Sequence, residues 1–371
     1  MKRAVIVLPT YNEGGNIEKV IDGIMHETSN LENWDVHTLV VESTSTDDTD
    51  EIVTRLQKKY DRLHILRTPK EGLGKAYVRG FKYAIEDLKA YLLFEMDADL
   101  SHDPKKLPEF FEKVEHGADF VIGSRYIKGG SIPADWGFHR KLYSVLGNTI
   151  IRFGFMNLKI TDWTSGYRAI KAWVVSDVIE KIDTFTGYVF QVALLDNSIK
   201  KGVHVAELPI QFTDRKEGHS KINSFEYIMQ TLLYVFFESS FIKFVIVGGT
   251  GFIIDSLILY FLALKLHFPP WGAKLISAET AIISNFTLNN SWSFSHKKLH
   301  FSWANYMKGL SKFNIVSMGN ILIQTVGITV MTELFGKHNI LFYNALIIIL
   351  IVVPYSYFVY NKFIWKDSNK K

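Results

Sequence analysis

Short apolar runs alternate with amphipathic stretches through the first third of the chain. Residues 3–10 (RAVIVLPT), 36–42 (VHTLVVE), 63–68 (LHILRT), 90–96 (AYLLFEM) and 118–125 (ADFVIGSR) have the length and apolar continuity of buried strands. Between them, residues 16–26, 43–60, 72–88 and 103–117 space their apolar positions for helices, with Pro104 near the start of the last. This order predicts an α/β domain with a mostly parallel sheet covered on both faces. Residues 130–220 are less regular, with helix-like segments at 139–153 and 187–201. The stretch 222–240 (INSFEYIMQTLLYVFFESS) has helical spacing that fits either a membrane interface or a soluble core.

The pattern then changes. Four apolar stretches, 241–264, 271–292, 313–335 and 341–363, each reach the roughly 20 residues a hydrocarbon core requires. The second is interrupted by Lys274, Glu279, Asn285, Asn289 and Asn290. The expected organisation is a catalytic domain over 1–221, a juxtamembrane segment over 222–240 and a four-helix transmembrane domain over 241–371. Lys243, Asp255, Lys274 and Glu279 are costly in lipid; Lys243 is expected to snorkel and the others to pair within the bundle.

Composition narrows the function classes. The 371 residues suffice for two or three domains. The absence of cysteine excludes disulfides, thiolate metal sites and a cysteine nucleophile. A net charge of +4 is too small to imply nucleic acid as a partner. Its placement is more informative. The connector 295–312 carries Lys297, Lys298, Lys308 and Lys312, and the tail carries Lys362, Lys366, Lys370 and Lys371. The connectors KLHFPP and GKHNI carry one lysine each. The positive-inside rule therefore predicts a multi-pass protein with its front domain and both termini in the cytoplasm. The opening MKRAVIVLPTYNE meets Pro9 and Asn12 too soon for a signal peptide and reads as a first strand.

Candidate chemistry collects where the strands stop. PTYNE, VESTSTDD, KEGLGK, DADLSHD and GSRY all fall at strand ends, the edge at which parallel sheets bind ligands. In DADLSHD, Asp97 and Asp99 suit a hard divalent cation, Mg²⁺ or Mn²⁺, completed by phosphate oxygens. Asp103 before Pro104 reads as a helix cap, which does not require the other two aspartates. GLGKA lacks the Walker spacing and reads as a turn feeding a helix, with Lys75 near a donor. Arg125 and Arg140 fit either phosphate forks or solvated charges, and Arg168 either an acceptor-side residue or a structural ion-pair partner. His139 and His219 read as hydrogen-bonding neighbours.

Taken in order, PTYNE, VVESTSTDDT, GLGKA, MDADLSHDP, GSRY, SGYRA, GYVFQ and FTDRKEGHSK resemble the family-2 glycosyltransferases of GT-A fold, within them the dolichol-phosphate mannose synthase group. The resemblance spans about residues 3–235. The final spans, with their GG-T-G-F pattern and Asn285, are similar to the GtrA-type membrane domain. The resemblance implies transfer of a sugar from a nucleotide-activated donor, GDP-mannose, to a polyprenyl or dolichyl phosphate. It implies that Pro9, Tyr11 and Glu13 line the nucleotide pocket. Glu42 and Ser43 stand where the family usually has Asp-Asp at the base. Asp97 would meet the nucleoside and Asp99 the metal and diphosphate, while Ser101 replaces a glutamine that serves some relatives as a further ligand. Arg125, Arg140 and Ser144 match positions that grip the acceptor phosphate. Arg215, with Ser220 and Lys221, matches the segment that closes over the donor.

Because the acceptor is already an anion, no obligatory general base is expected. Competing readings are the same chemistry with UDP-glucose and undecaprenyl phosphate, and a non-catalytic lipid-linked-sugar flippase or scaffold. The intact DAD and the arginines argue against the latter. A processive polysaccharide synthase would carry a Q-x-x-R-W motif, which the chain lacks.

Overall fold

The computed structural model describes residues 1–185, 187, 189–214, 224–299 and 302–365. The chain divides into two compact units, Met1–Val235 and Phe236–Lys371.

In the first unit the five expected strands form as β1 (Lys2–Thr10), β2 (Trp34–Glu42), β3 (Leu63–Arg67), β4 (Leu92–Glu95) and β5 (Phe120–Ser124). Two more, β6 (Arg168–Lys171) and β7 (Val205–Pro209), lie in the region read as irregular. The sheet order is β3-β2-β1-β4-β6-β5-β7. Only β6 runs antiparallel to its neighbours, so β1 to β5 and β7 all end at one edge. The polar clusters after β1, β2, β4 and β5 therefore share that edge.

The continuous apolar runs are explained by cover on both faces. Ala4, Ile6, Leu8, Val40 and Phe94 pack with α1 (Ile17–Thr28) and α4 (Leu107–Glu115) through Val20, Ile24, Phe110 and Phe111. Val7, Val41 and Leu93 are buried on the opposite side, where α3 (Leu73–Glu86) lies against β1 and β2. There Gly80 permits the approach: a Cβ would stand 2.6 Å from Val7 and 2.8 Å from Val41. The remaining helices of this unit are α2 (Thr49–Gln57), α5 (Phe138–Gly154), α6 (Ala172–Ile182), α7 (Val189–Lys200) and α8 (Ser224–Glu238), the last running into the second unit.

The second unit is helical. Three segments are long and apolar enough to cross a membrane among the described residues: Ser240–Lys265, Trp303–Phe335 and Ile340–Phe363. They comprise α9 (Ser240–Tyr260) with a π-turn, α11 (Trp303–Phe335), and α12 (Ile340–Ile347) joined through a π-turn to α13 (Val353–Phe363). The π-turn Ile348–Val352 precedes Pro354, whose nitrogen has no N–H to donate to the preceding turn and whose ring crowds the carbonyl there. Two expectations change here. The second predicted span forms a helix, α10 (Pro270–Leu288), but its polar positions keep it out of the apolar class. The third starts ten residues earlier than its apolar run, so α11 takes in the lysine-bearing connector and extends ~50 Å, longer than a hydrocarbon core.

Asp255 and Lys274 do pair, at 2.6 Å, and Ser277 donates to the same carboxylate at 2.8 Å. Glu279 does not follow: it is exposed on α10 and has no ion-pair partner among the described residues.

Candidate active site

The loops after β1 and β2 interlock. Asn12 Oδ1 accepts from Thr46 N at 2.8 Å, Thr49 Oγ1 accepts from Glu13 N at 2.9 Å, and Asp47 accepts from Gly14 N at 3.0 Å. Glu42 is buried beneath them. Its two oxygens accept from Thr10 Oγ1 at 2.7 Å and from Ser45 N at 2.5 Å. Its carboxylate thus braces both loops from below. Ser43 N donates to Thr10 O at 3.0 Å, and half-buried Pro9 and Tyr11 complete this corner. Lys70 stacks its ammonium 3.4 Å from the centre of the Tyr11 ring, a neighbour that sequence reading missed.

Three bulky or polar residues adopt left-handed backbone at this edge: Asn12 (φ 56°), Thr44 (φ 57°) and Leu100 (φ 65°). They follow β1, β2 and β4 respectively. Such backbone costs of order 1 kcal/mol or more per residue and concentrates at ligand-binding loops.

The DADLSHD turn leaves β4 with Asp97 partly exposed and Asp99, Ser101 and His102 buried. Asp99 Oδ1 accepts from Ser101 N at 3.1 Å, and the Leu100 carbonyl accepts from Thr213 Oγ1 at 3.1 Å. The Asp103 side chain caps the next turn through Lys105 N at 3.0 Å, as the sequence suggested. Ser101 Oγ is buried without a hydrogen-bond partner among the described residues. No three His, Cys, Asp or Glu side chains gather into a closed metal cage among the described residues. Two carboxylates beside an unsatisfied buried hydroxyl fit a Mg²⁺ or Mn²⁺ whose shell is completed by phosphate and water.

Arg125 follows β5. Its Nε and Nη2 donate to the two oxygens of Asp162 at 2.7 Å each, and Nη2 also to Thr164 Oγ1 at 2.7 Å. Nη1 makes no hydrogen bond among the described residues, and the guanidinium lies 5.4 Å from the Tyr126 ring and 5.6 Å from that of Phe212. Burial pushes the Asp162 carboxyl up, but Arg125 beside it outweighs this and holds it below the usual carboxylate range. The pair is therefore ionised. Asp162 is positioned by Glu207 of β7, which accepts from Thr161 N at 3.0 Å and Asp162 N at 3.1 Å. Sequence reading missed Asp162, because no strand-end pattern marks a loop residue 37 positions away from its partner.

Ser144 of α5 shares a 2.5 Å hydrogen bond with Tyr126, the residue after Arg125. Arg140 stacks on Trp136 at 3.9 Å and pairs with Asp214 at 2.8 Å while remaining 47% exposed. The same helix exposes Phe138, Leu142, Tyr143, Leu146, Ile150 and Phe153. Lys75 is held by Asp183, Nζ to Oδ1 2.8 Å. Arg168 takes the structural alternative: it is fully buried, donates to the carbonyls of Gln191 and Trp163, and lies 3.5 Å from Glu95. Arg215, Ser220 and Lys221 lie outside the described residues.

The model of glycosyl transferase family 2 matches residues 5–179, and that of the GtrA/DPMS transmembrane domain matches 243–365. A polyprenol monophosphomannose synthase of Mycolicibacterium smegmatis is 38% identical over 229 residues, 60% of this chain and 82% of the relative. A dolichol-phosphate mannosyltransferase of Pyrococcus furiosus is 31% identical over 328 residues, 86% of this chain and 88% of the relative. Among solved structures, glucosyl-3-phosphoglycerate synthase from Mycobacterium tuberculosis, in complex with Mn²⁺ and UDP-glucose, is 19% identical with a TM-score of 0.46 over 63% of this chain and 79% of that one. The chain belongs to glycosyl transferase family 2, in the dolichol-phosphate mannose synthase-like group that joins a GT-A domain to a GtrA-type membrane domain, and is a membrane-bound glycosyltransferase.

Proposed function

We propose that the protein transfers mannose, with inversion, from GDP-mannose to the phosphate of a polyprenyl phosphate at the cytoplasmic face of a membrane. One observation carries the reading: the Asp97–Asp99 turn after β4 and the Arg125–Asp162 pair after β5 share the sheet edge, where the Phe212 ring meets both His102, at 5.9 Å, and the Arg125 guanidinium, at 5.6 Å. That arrangement suits two anions brought together beside one sugar. The names of the relatives support the sugar and the lipid phosphate.

In this reading Pro9, Tyr11 and Glu13 receive the nucleoside, over the floor made by Glu42 and Ser43. Asp97, Asp99 and Ser101 hold Mg²⁺ or Mn²⁺, whose contribution when bound is to offset charge on the diphosphate leaving group. Arg125 offers Nη1 to the acceptor phosphate while Asp162 fixes the plane of its fork. Arg140 and Ser144 flank that anion on α5, and Arg215 and Lys221 are assigned to the donor on the family resemblance alone. The exposed apolar face of α5 suits the lipid part of the acceptor. Lys75, committed to Asp183, has no donor contact in this scheme. The substrate phosphate attacks as an anion, so the side chains orient it and need remove no proton.

The test uses purified full-length protein in vesicles containing polyprenyl phosphate, with radiolabelled GDP-mannose and UDP-glucose in parallel. Label is expected in the lipid fraction from GDP-mannose. Equal or greater incorporation from UDP-glucose would replace the donor assignment.

A further inference from the structure

We propose that His102 is the positioning residue of the carboxylate turn: it holds Asp97 and Asp99 in register with Ser101 through an acceptor nitrogen that only its Nδ1 supplies. This rests on the metal and donor reading above and goes beyond it, since that scheme gives His102 no role.

The turn after β4 reverses on itself within six residues. Asp97 N donates to His102 Nδ1 at 3.0 Å, closing the loop across five positions. The ring's other nitrogen, Nε2, stands 3.9 Å from Asp97 Oδ2. His102 thus faces Asp97 from both its backbone and its carboxylate sides. The ring cannot swing away. It stacks on Tyr167 at 4.8 Å with 15° between the planes, and meets Phe212 edge-on at 5.9 Å. Tyr167 is itself tied to the turn, its hydroxyl donating to Asp103 O at 3.1 Å. A bond accepted from a backbone N–H fixes the tautomer: Nδ1 carries no proton and Nε2 carries it.

The strain in the turn gives this contact a purpose. Leu100 is held in left-handed backbone between Asp99 and Ser101. Both carboxylates precede that residue, so its relaxation would swing Ser101 and His102 away from Asp97 and Asp99. The His102 bond and the Thr213–Leu100 bond clamp the two sides of the strained residue. Partners that orient ligating carboxylates typically contribute about 10- to 100-fold in metal affinity.

Four proteins separate an acceptor role from simple packing: the unsubstituted chain, His102→Phe, His102→Asn and His102→Gln. His102→Phe keeps the stack on Tyr167 and removes the acceptor. His102→Asn returns an oxygen at the position of Nδ1, and His102→Gln places its oxygen one bond too far. The readout is calorimetric GDP binding to the full-length protein in detergent, with Mn²⁺ and with EDTA. His102→Phe and His102→Gln are expected to weaken Mn²⁺-dependent GDP binding about 10- to 100-fold and to leave binding in EDTA unchanged. His102→Asn is expected to recover to within about threefold of the unsubstituted chain. If His102→Phe does not fold, the Asn and Gln variants alone decide, because both are polar and differ in acceptor position. Equal Mn²⁺-dependent binding by all four proteins, or equal loss in Asn and Gln, overturns the role of His102 and leaves the metal reading standing. Binding by the unsubstituted chain that ignores Mn²⁺ overturns both.

Discussion

Among the described residues the first unit holds two buried arginine–carboxylate pairs, one at the rim of the sheet and one in its middle, and they are built differently. At the rim, Arg125 and Asp162 meet in a two-pronged contact at 2.7 Å with further donors to the carboxylate. In the middle, Glu95 of β4 and Arg168 of β6 face each other across an antiparallel register at 3.5 Å. Neither oxygen of Glu95 has a hydrogen-bond partner among the described residues. Burial pushes the Glu95 carboxyl up to about 7, with Arg168 opposing. The rim pair is fixed in charge and leaves one guanidinium nitrogen over; the inner pair is weakly joined and titratable. A satisfied pair can present charge to a ligand, whereas an unsatisfied one mainly fills the core and adds pH sensitivity.

Substitutions should separate rim from interior. The largest expected effect is at Asp99: Asp99→Ala should lower mannosyl transfer by at least about 1,000-fold while leaving the melting temperature unchanged, since in the proposed scheme it removes a ligand of the cation that would offset charge on the leaving group. Retained transfer in vesicles would sink its assignment to the metal.

Arg125→Ala should cost roughly 100- to 1,000-fold in kcat/KM for the lipid acceptor. Arg125→Lys should not restore it, because an ammonium cannot span both Asp162 oxygens and still face a phosphate. A lysine variant with near-normal kinetics would mean that the fork geometry is irrelevant.

The interior pair should register in stability and not in turnover. The folded-state carboxyl of Glu95 is raised from 4.5 to about 7, so the folded chain holds that proton more tightly than the unfolded chain. Its contribution is complete below about 4.5 and is lost as pH rises through about 7, a change of about 3 kcal/mol. Glu95→Gln should flatten that loss. Burial depresses His102 to about 4 and contributes the opposite slope at acid pH, but equally in both proteins. Thermal melts of the two from pH 5 to 8 should therefore diverge; parallel curves would show that Glu95 stays in one protonation state.

The same contrast explains what was legible in the sequence. Strands β1, β2, β4 and β5 announced themselves because both their faces are buried, and the half-buried edge strand β3 through its short apolar run. Strand β6 did not, since its first residue is the buried Arg168 and its length is four residues. Strand β7 carries Glu207, which serves the loop bearing Asp162, and ends in Pro209. Asp97, Asp99 and Arg125 were visible as polar residues that stop apolar runs. Asp162 and His102 were not assigned, because their roles depend on where loops return. In the membrane unit, hydropathy located the helices but not the early start of α11 at Trp303, which belongs to its polar first turns.

The central claim is that two phosphate groups meet between a cation on the β4 turn and the Arg125 fork. Its most direct test is transfer of radiolabelled mannose from GDP-mannose to polyprenyl phosphate by the purified protein, after divalent ions are stripped with EDTA and again after Mn²⁺ or Mg²⁺ is restored. Transfer should vanish on stripping and return with the ion. Undiminished transfer in EDTA would contradict the claim.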